Sequence, residues 1–203
     1  INAACTGFIY ALDIAKKYIE SGQIKYALVV GTEKITSLLD WTDRNTCVLF
    51  GDGAGAMIIG SSETPGIMSS SIGSDGSYKD LLTVNTDLDY IEMKGNDVFK
   101  TAVNTLGRLA KHTLEINNLE QGELDWLVPH QANERIILAI AKKINLPQDK
   151  IIITVSKHGN TSAASIPLAF DDANTKNMFK HGDHIMLEAF GAGFTWGSIL
   201  LKY

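Results

Sequence analysis

This sequence predicts an α/β fold in which strands alternate with helices around a mostly parallel sheet covered on both faces. Two patterns carry that expectation. Apolar residues recur at helical spacing in several long segments, and between them lie short apolar, β-branched runs bounded by glycine, proline or asparagine. A third observation sets the scale: 203 residues, 45% hydrophobic and 20% charged, suffice for a sizeable core, built as one large domain or two small ones.

The elements follow in order. Cys5 sits among Ala3, Ala4, Thr6 and Gly7, after which Phe8, Leu12, Ala15 and Ile19 share one helical face and Gly22 offers a left-handed stop. YALVVGTE at 26–33 reads as a buried strand. After a polar stretch, CVLFGDGAGAMIIG at 47–60 sets two apolar runs about a glycine-rich turn, with Cys47 in a buried strand. A nucleotide loop is rejected there. Met57, Ile58 and Ile59 read as a strand where a dinucleotide fingerprint has to open a helix, so close strand packing accounts for the glycines. Residues 61–94, rich in Ser, Gly, Asp and Thr, read as a junction between halves, with strand-like pieces at 66–72 and 81–84. Asn96 and Asp97 then start a long amphipathic helix carrying Phe99, Val103, Leu106, Ala110 and Leu114. DWLVPH at 125–130 is a strand ending at His130, and a helix runs from about Asn133 to Ile144. IIITV at 151–155 is another strand, KHGNTSAASIPLAF at 157–170 turns into a helix, and 183–203 forms two strands joined by a glycine turn.

Composition narrows the function classes. Net charge is −5, and the two cysteines, Cys5 and Cys47, form neither a disulfide framework nor a zinc-spaced cluster, so a reducing cytoplasm is the expected location. No apolar run approaches membrane length and no signal peptide is visible, so neither membrane nor nucleic acid is an expected partner. The chain opens on Ile1, with a helix beginning at once and no strand before it. We therefore expect the true N-terminal region to lie outside this sequence.

Three polar residues fall at comparable places: Cys5 begins a helix, His130 ends a strand, and Asn160 follows Gly159 in a turn, while Gly191 and Gly193 occupy the turn after another strand. Ligands of open α/β sheets bind beyond the carboxyl ends of strands, so these positions can share a crevice. A helix N-terminus favours a thiolate, which would prepare Cys5 as a nucleophile. Each residue also has a plain structural reading: Cys5 as a buried small hydrophobe, His130 as a loop partner, Asn160 as an ordinary turn residue. Jointly, a nucleophile with electrophilic or basic partners is the better reading. His158 is given a structural role, and the His181–His184 pair lacks a third ligand for a metal.

INAACTGFIYAL around Cys5, TDRNTCVLFGDGAGA at 42–56, WLVPHQANERI at 126–136, KHGNTSAASIP at 157–167 and FGAGFTWG at 190–197 resemble the bacterial β-ketoacyl-acyl-carrier-protein synthase III family, the initiating condensing enzymes of fatty-acid synthesis. The resemblance spans the whole chain and lacks about the first third of a family member. It implies a thiolase-like fold, two related βαβ halves in a five-layer α/β/α/β/α arrangement. Residues 1–60 would be the later part of the first half, carrying the nucleophile, and 61–203 the second half, carrying the histidine and asparagine.

The resemblance also implies a catalytic Cys5, His130 and Asn160, with an oxyanion hole from the backbone amides of Cys5 and Ala192. The turn reads Gly191-Ala192-Gly193 where the family more often has three glycines, and an alanine keeps the backbone donor if its φ is negative. Arg44, Phe50 and Asn133 would bind CoA or substrate, and Lys100, Arg135, Lys142 and Lys143 would dock the acidic acyl-carrier protein. A solvated charged helix face is the alternative reading of those cations. No metal or organic cofactor is expected, CoA thioester being a substrate; acyl-CoA, malonyl-acyl-carrier protein and a second copy in a homodimer are the implied partners. Related alternatives are type III polyketide synthases and hydroxymethylglutaryl-CoA synthase. A papain-like hydrolase shares the Cys, His, Asn order but lacks the CGxCW signature here.

Overall fold

A computed structural model describes every residue except Pro65, Thr86 and Leu88. Those three lie in the expected junction, and that part of the expectation falls outside the described residues. The first helix, α1 (Gly7–Glu20), buries Phe8, Ile9, Leu12, Asp13 and Ala15, and a short 3-10 turn at Ala4–Thr6 precedes it. Gly22 ends it with φ 73°, the left-handed conformation that glycine adopts without a Cβ clash.

Strands β1 (Tyr26–Glu33) and β2 (Gly53–Gly60) pair antiparallel. Their glycines, with Gly51 just before β2, let the later chain lie on the sheet. A Cβ on Gly31 would stand 2.6 Å from Ala163 O, one on Gly51 2.4 Å from His158 O, and one on Gly55 2.9 Å from the Pro167 ring. Close packing, rather than phosphate binding, thus explains the glycine-rich stretch. The other face of this pair carries Tyr26, Leu28, Val30 and Ile58 to solvent.

Next come β3 (Ile67–Ser74), the hairpin strands β4 (Leu82–Asn85) and β5 (Tyr90–Met93), α2 (Gly95–Ile116), β6 (Trp126–Pro129) and α3 (Glu134–Lys143). A helical turn α4 (Val155–His158), α5 (Ser165–Thr175), β7 (His184–Gly191) and β8 (Thr195–Lys202) complete the chain. The α2 helix begins at Gly95 without a side-chain cap, so Asn96 and Asp97 lie inside its first turn rather than initiating it.

The main sheet has the order β3-β8-β7-β6. The expectation of a mostly parallel sheet fails: among the described strands β6–β7 is the one parallel pairing. β3, β7 and β6 run one way, but β8 runs against them from between β3 and β7, so β6–β7 is the parallel pairing and the other two are antiparallel. The cause is local: three residues join β7 to β8, and so short a turn can only build an antiparallel pair.

The sheets and helices stack in layers. Helices α1 and α5 lie between the β1–β2 pair and the main sheet, while α2 and α3 cover the main sheet's far face. One apolar cluster, with Phe8, Ile9, Val128, Ile166, Leu187 and Ile199, fills the inner interface; another, with Leu106, Leu127, Ile137, Met186 and Leu200, fills the outer one. Alternation along β7 divides Leu187 from Met186 in this way. The described chain therefore supplies four of the five expected layers.

Two expected strands are absent among the described residues. Residues 47–50 form a turn, with a lone bridge from Phe50 to Asn160, and Cys47 is half-buried there. Of 151–155, Ile151 alone bridges, to Leu127. The buried Gln131 carboxamide ends that segment: its oxygen accepts the N–H groups of Thr154 and Val155 at 2.7 and 3.1 Å, and the chain turns into α4.

Candidate active site

Cys5, His130 and Asn160 line one cavity of about 660 Å³, with Phe50, Asn133 and Arg135 among the other walls. Each reaches it from a different element. Cys5 stands in the 3-10 turn before α1, directly after Ala4, whose φ is 47°. Of this turn's leading amides, the Ala4 N–H donates to Asn2 Oδ1 at 3.2 Å and the Thr6 N–H to Ala3 O at 3.0 Å, which leaves the Cys5 N–H as the one with no acceptor among the described residues. β7 ends against this turn at Gly191, where a Cβ would stand 2.8 Å from Cys5 N and 3.2 Å from Thr6 N. Thr195 laces the two together, donating from Oγ1 to Ala3 O at 3.0 Å, while Thr6 Oγ1 donates to Thr195 O at 3.2 Å. Positive φ among described non-glycine residues is confined to Ala4, Asp89, Asn118, Asn145, Ser162 and Asn177, so Ala192 is free of that strain.

His130 follows β6, its N–H donating to Glu188 O at 2.7 Å. Its Nδ1 lies 2.7 Å from Ser165 Oγ, which also accepts the Gln131 N–H at 3.2 Å. Among the described residues Nδ1 is the one acceptor offered to the Ser165 hydroxyl proton, so the arrangement that satisfies that proton leaves the ring hydrogen on Nε2. Asn160 is held from both ends: its N–H donates to Leu49 O at 2.8 Å, and its Oδ1 accepts the Ser162 N–H at 2.9 Å. An N–H partner identifies that atom as the oxygen, which leaves the amide NH₂ as the free donor.

Burial sets the protonation of the site. The Cys5 thiol is pushed up to about 11, chiefly by desolvation; the neighbouring Ser162 hydroxyl pulls it down and the Glu33 charge pushes it up. The helix-start amides do not outweigh desolvation, so the resting cysteine is a thiol, contrary to the expectation of a prepared thiolate. Burial likewise pushes His130 down to about 4, so the ring is neutral at physiological pH.

Other expected residues scatter around this centre. Asn133 lines the cavity while its side-chain oxygen caps α3, accepting from Ile136 N at 2.9 Å. Arg135 is exposed, with its guanidinium 5.7 Å from the Phe99 ring centroid. Arg44, Lys100 and Lys142 are exposed and outside the cavity walls. Lys143 lies back across α2, reaching Asn104 Oδ1 at 2.6 Å. Ser162, Ser165 and Glu33 shape the site without being among the residues the sequence points to, whereas Gly191 stands in the turn expected after β7. Only Ser162 and Ser165 left a trace, as hydroxyls inside a small-residue run that a plain helix would fill with alanine. Among the described residues no group of three or more metal-ligating side chains occurs, and no helix is long and apolar enough to cross a membrane.

Comparison with known proteins agrees with the geometry. The family model described as 3-oxoacyl-[acyl-carrier-protein] synthase III matches residues 1–76, and the model of that family's C-terminal part matches 114–203. The β-ketoacyl-[acyl-carrier-protein] synthase III of Thioalkalivibrio sulfidiphilus is 53% identical, and that of Blochmanniella floridana 54%, each across all of this chain. The chain spans 66% of the length of these relatives. The crystal structure of 3-oxoacyl-[acyl-carrier-protein] synthase III from Aquifex aeolicus superposes with a TM-score of 0.97 at 46% identity, covering 100% of this chain and 66% of that one. A priming β-ketosynthase from the R1128 polyketide pathway superposes with a TM-score of 0.93 at 36% identity, covering 100% and 64%.

Proposed function

Because the chain belongs to the 3-oxoacyl-[acyl-carrier-protein] synthase III family, we propose that its cavity serves the priming condensation of fatty-acid synthesis, joining a short acyl-CoA to malonyl-acyl-carrier protein with loss of CO₂. The supporting observation is the convergence of a thiol, an imidazole and a carboxamide from three separate elements on one cavity.

In this reading Cys5 attacks the acyl-CoA carbonyl, its thiol proton leaving with the CoA sulfur, and an acyl-enzyme results. The backbone amides of Cys5 and Ala192 receive the oxyanion, a service worth about 3 to 4 kcal/mol per donor. Malonyl-acyl-carrier protein then loses CO₂, and negative charge develops on its thioester oxygen. His130 Nε2–H and the Asn160 amide are both neutral donors suited to that oxygen. A histidine held near pKa 4 suits this role because it stays neutral throughout the physiological range and keeps its ring hydrogen for donation. The resulting carbanion attacks the acyl group on Cys5, giving the 3-oxoacyl product and expelling the sulfur as a thiolate, which takes a proton from solvent to regenerate the thiol. No metal or organic cofactor enters any step.

Arg44 would pack against the CoA adenine, Asn133 would meet the pantetheine arm and Phe50 would line the acyl pocket, while Lys100, Arg135, Lys142 and Lys143 would receive the carrier protein in a cytoplasmic homodimer. The division of labour is testable: His130→Ala and Asn160→Ala should still accept an acyl group but should release little CO₂ from malonyl thioester. Normal CO₂ release by both variants would refute the assignment.

A further inference from the structure

Gln131 has no part in the chemistry above, although it follows His130 directly and is buried. A carboxamide has two N–H groups to give and an oxygen with two lone pairs. All four are used here. Nε2 donates to Pro129 O at 2.7 Å and to Ile152 O at 3.1 Å, while Oε1 accepts the Thr154 N–H at 2.7 Å and the Val155 N–H at 3.1 Å. With no hydrogen bond left for a ligand, this side chain acts on the backbone around it.

Ile151 bridges Leu127 in parallel, and the Ile152 N–H donates to Leu127 O at 2.9 Å. Bonds of a parallel ladder are evenly spaced, so the next one would run from the Thr154 N–H to Pro129 O. The Gln131 carboxamide stands between those two groups and satisfies each of them separately. It is a wedge in the ladder. Thr154 then opens α4 with no side-chain cap of its own, and Gln131 Oε1 receives the leading amides instead. One helical turn later Gly159, with φ 67°, leads into Asn160. β6 thus delivers His130 and α4 delivers Asn160. Among the described residues, Gln131 supplies every hydrogen bond between 129–133 and 153–160.

We infer that Gln131 is a positioning residue, a carboxamide spacer that sets His130 and Asn160 at the separation from which both can donate to one thioester oxygen. The inference rests on the proposed reading of those two side chains as paired donors. Such a pair works only when both groups meet the same atom, so a buried, fully satisfied network that removes freedom between their segments raises the rate without touching substrate. Without the spacer, the Thr154 N–H is free to bond Pro129 O directly at the ordinary strand spacing of about 4.8 Å. Residues 153–155 would then continue as a strand, and Asn160 would move with them.

The test compares the two half-reactions in Gln131→Met, which keeps the reach of the side chain and removes its hydrogen bonds. CO₂ release from malonyl thioester should fall about a hundredfold, the loss that an ångström of displacement brings. Acetyl transfer from acetyl-CoA to Cys5 should fall a few-fold at most, because neither the Cys5 turn nor the β7–β8 turn bonds to Gln131. In an Asn160→Ala chain, Gln131→Met should cost little further CO₂ release, since no pair remains to be aligned; a merely structural role would cost the same in both backgrounds. A crystal structure of Gln131→Met should show the separation of His130 and Asn160 changed from that of the parent by about an ångström. Equal losses in both half-reactions, full additivity with Asn160→Ala, or an unchanged separation would overturn the inference. If Gln131→Met does not fold, Gln131→Glu is read in the same way: its acid form keeps the acceptors and one of the two donors, so CO₂ release should fall about tenfold with the same sparing of acetyl transfer. If neither variant folds, Gln131 serves the fold as a whole and the inference is overturned. A parent chain that releases no CO₂ counts against the proposed condensation, and the crystallographic separation then decides the spacer by itself.

Discussion

Gly191→Ala tests how closely the Cys5 turn and the end of β7 are matched. The added methyl would stand 2.8 Å from Cys5 N and 3.2 Å from Thr6 N, where ordinary carbon contacts begin near 3.5 Å. Both obstacles are backbone atoms, so no side-chain rotation relieves the overlap of more than half an ångström at Cys5 N. Overpacking of this kind costs roughly 1 to 3 kcal/mol in stability. The functional loss should be larger in proportion, because the displaced amide is one of the two proposed oxyanion donors. Loss of one such donor lowers rate about 10²- to 10³-fold, and displacement of a reacting group by an ångström about 10²-fold. The expected result is acyl transfer slowed about a hundredfold in a chain that still melts cooperatively. Ala192→Gly supplies the control: it keeps the backbone donor and should stay within a few-fold of the parent. The assay is the rate of acyl-enzyme formation by intact mass, alongside a thermal melt. A folded Gly191→Ala chain with near-parental transfer would refute the reasoning.

Two more outcomes follow from charged groups. Glu188 is fully buried, with both carboxyl oxygens unpartnered among the described residues, and burial holds its pKa well above the ordinary carboxylate range. The unfolded chain releases that proton near pH 4.3 while the folded chain keeps it, so stability falls as pH rises. Glu188→Gln should therefore come nearest the parent at low pH, where the carboxyl is protonated in both states, and gain on it progressively as pH rises past the range where the unfolded chain ionises. Denaturant melts showing a pH-independent difference would contradict this. Arg135→Glu with Lys142→Glu should raise KM for the carrier-protein substrate far more than for acyl-CoA. Steady-state kinetics giving equal increases would argue against docking on α3.

Much of this architecture is legible in sequence because helical periodicity and glycine placement report directly on packing. The α1 face, its Gly22 stop, the β7–β8 turn and the close-packed glycines of β2 are all cases of that kind. Where reading failed, apolar residues served something other than a sheet. Leu49 and Phe50 look like strand residues but line the cavity, and the backbone on either side of Phe50, Leu49 O and Gly51 N, is spent on Asn160. Ile151 and Ile152 are buried in opposite clusters as strand residues would be, but the Gln131 side chain, 20 residues earlier, takes the next backbone donors. Long-range capture of this sort leaves no local pattern. The Cys5 ionisation departs from the sequence expectation for a related reason. Helix-start amides are a local feature, whereas burial and the Glu33 charge come from segments distant in the chain.

The account's central claim, that the sulfur of Cys5 carries the acyl group in this cavity, has a direct test. Intact-mass measurement after mixing the chain with acetyl-CoA should show a single acetyl addition that peptide mapping places on Cys5 and that Cys5→Ser removes. An unchanged mass, or an acetyl group mapped to Cys47 or to a lysine, would contradict the claim.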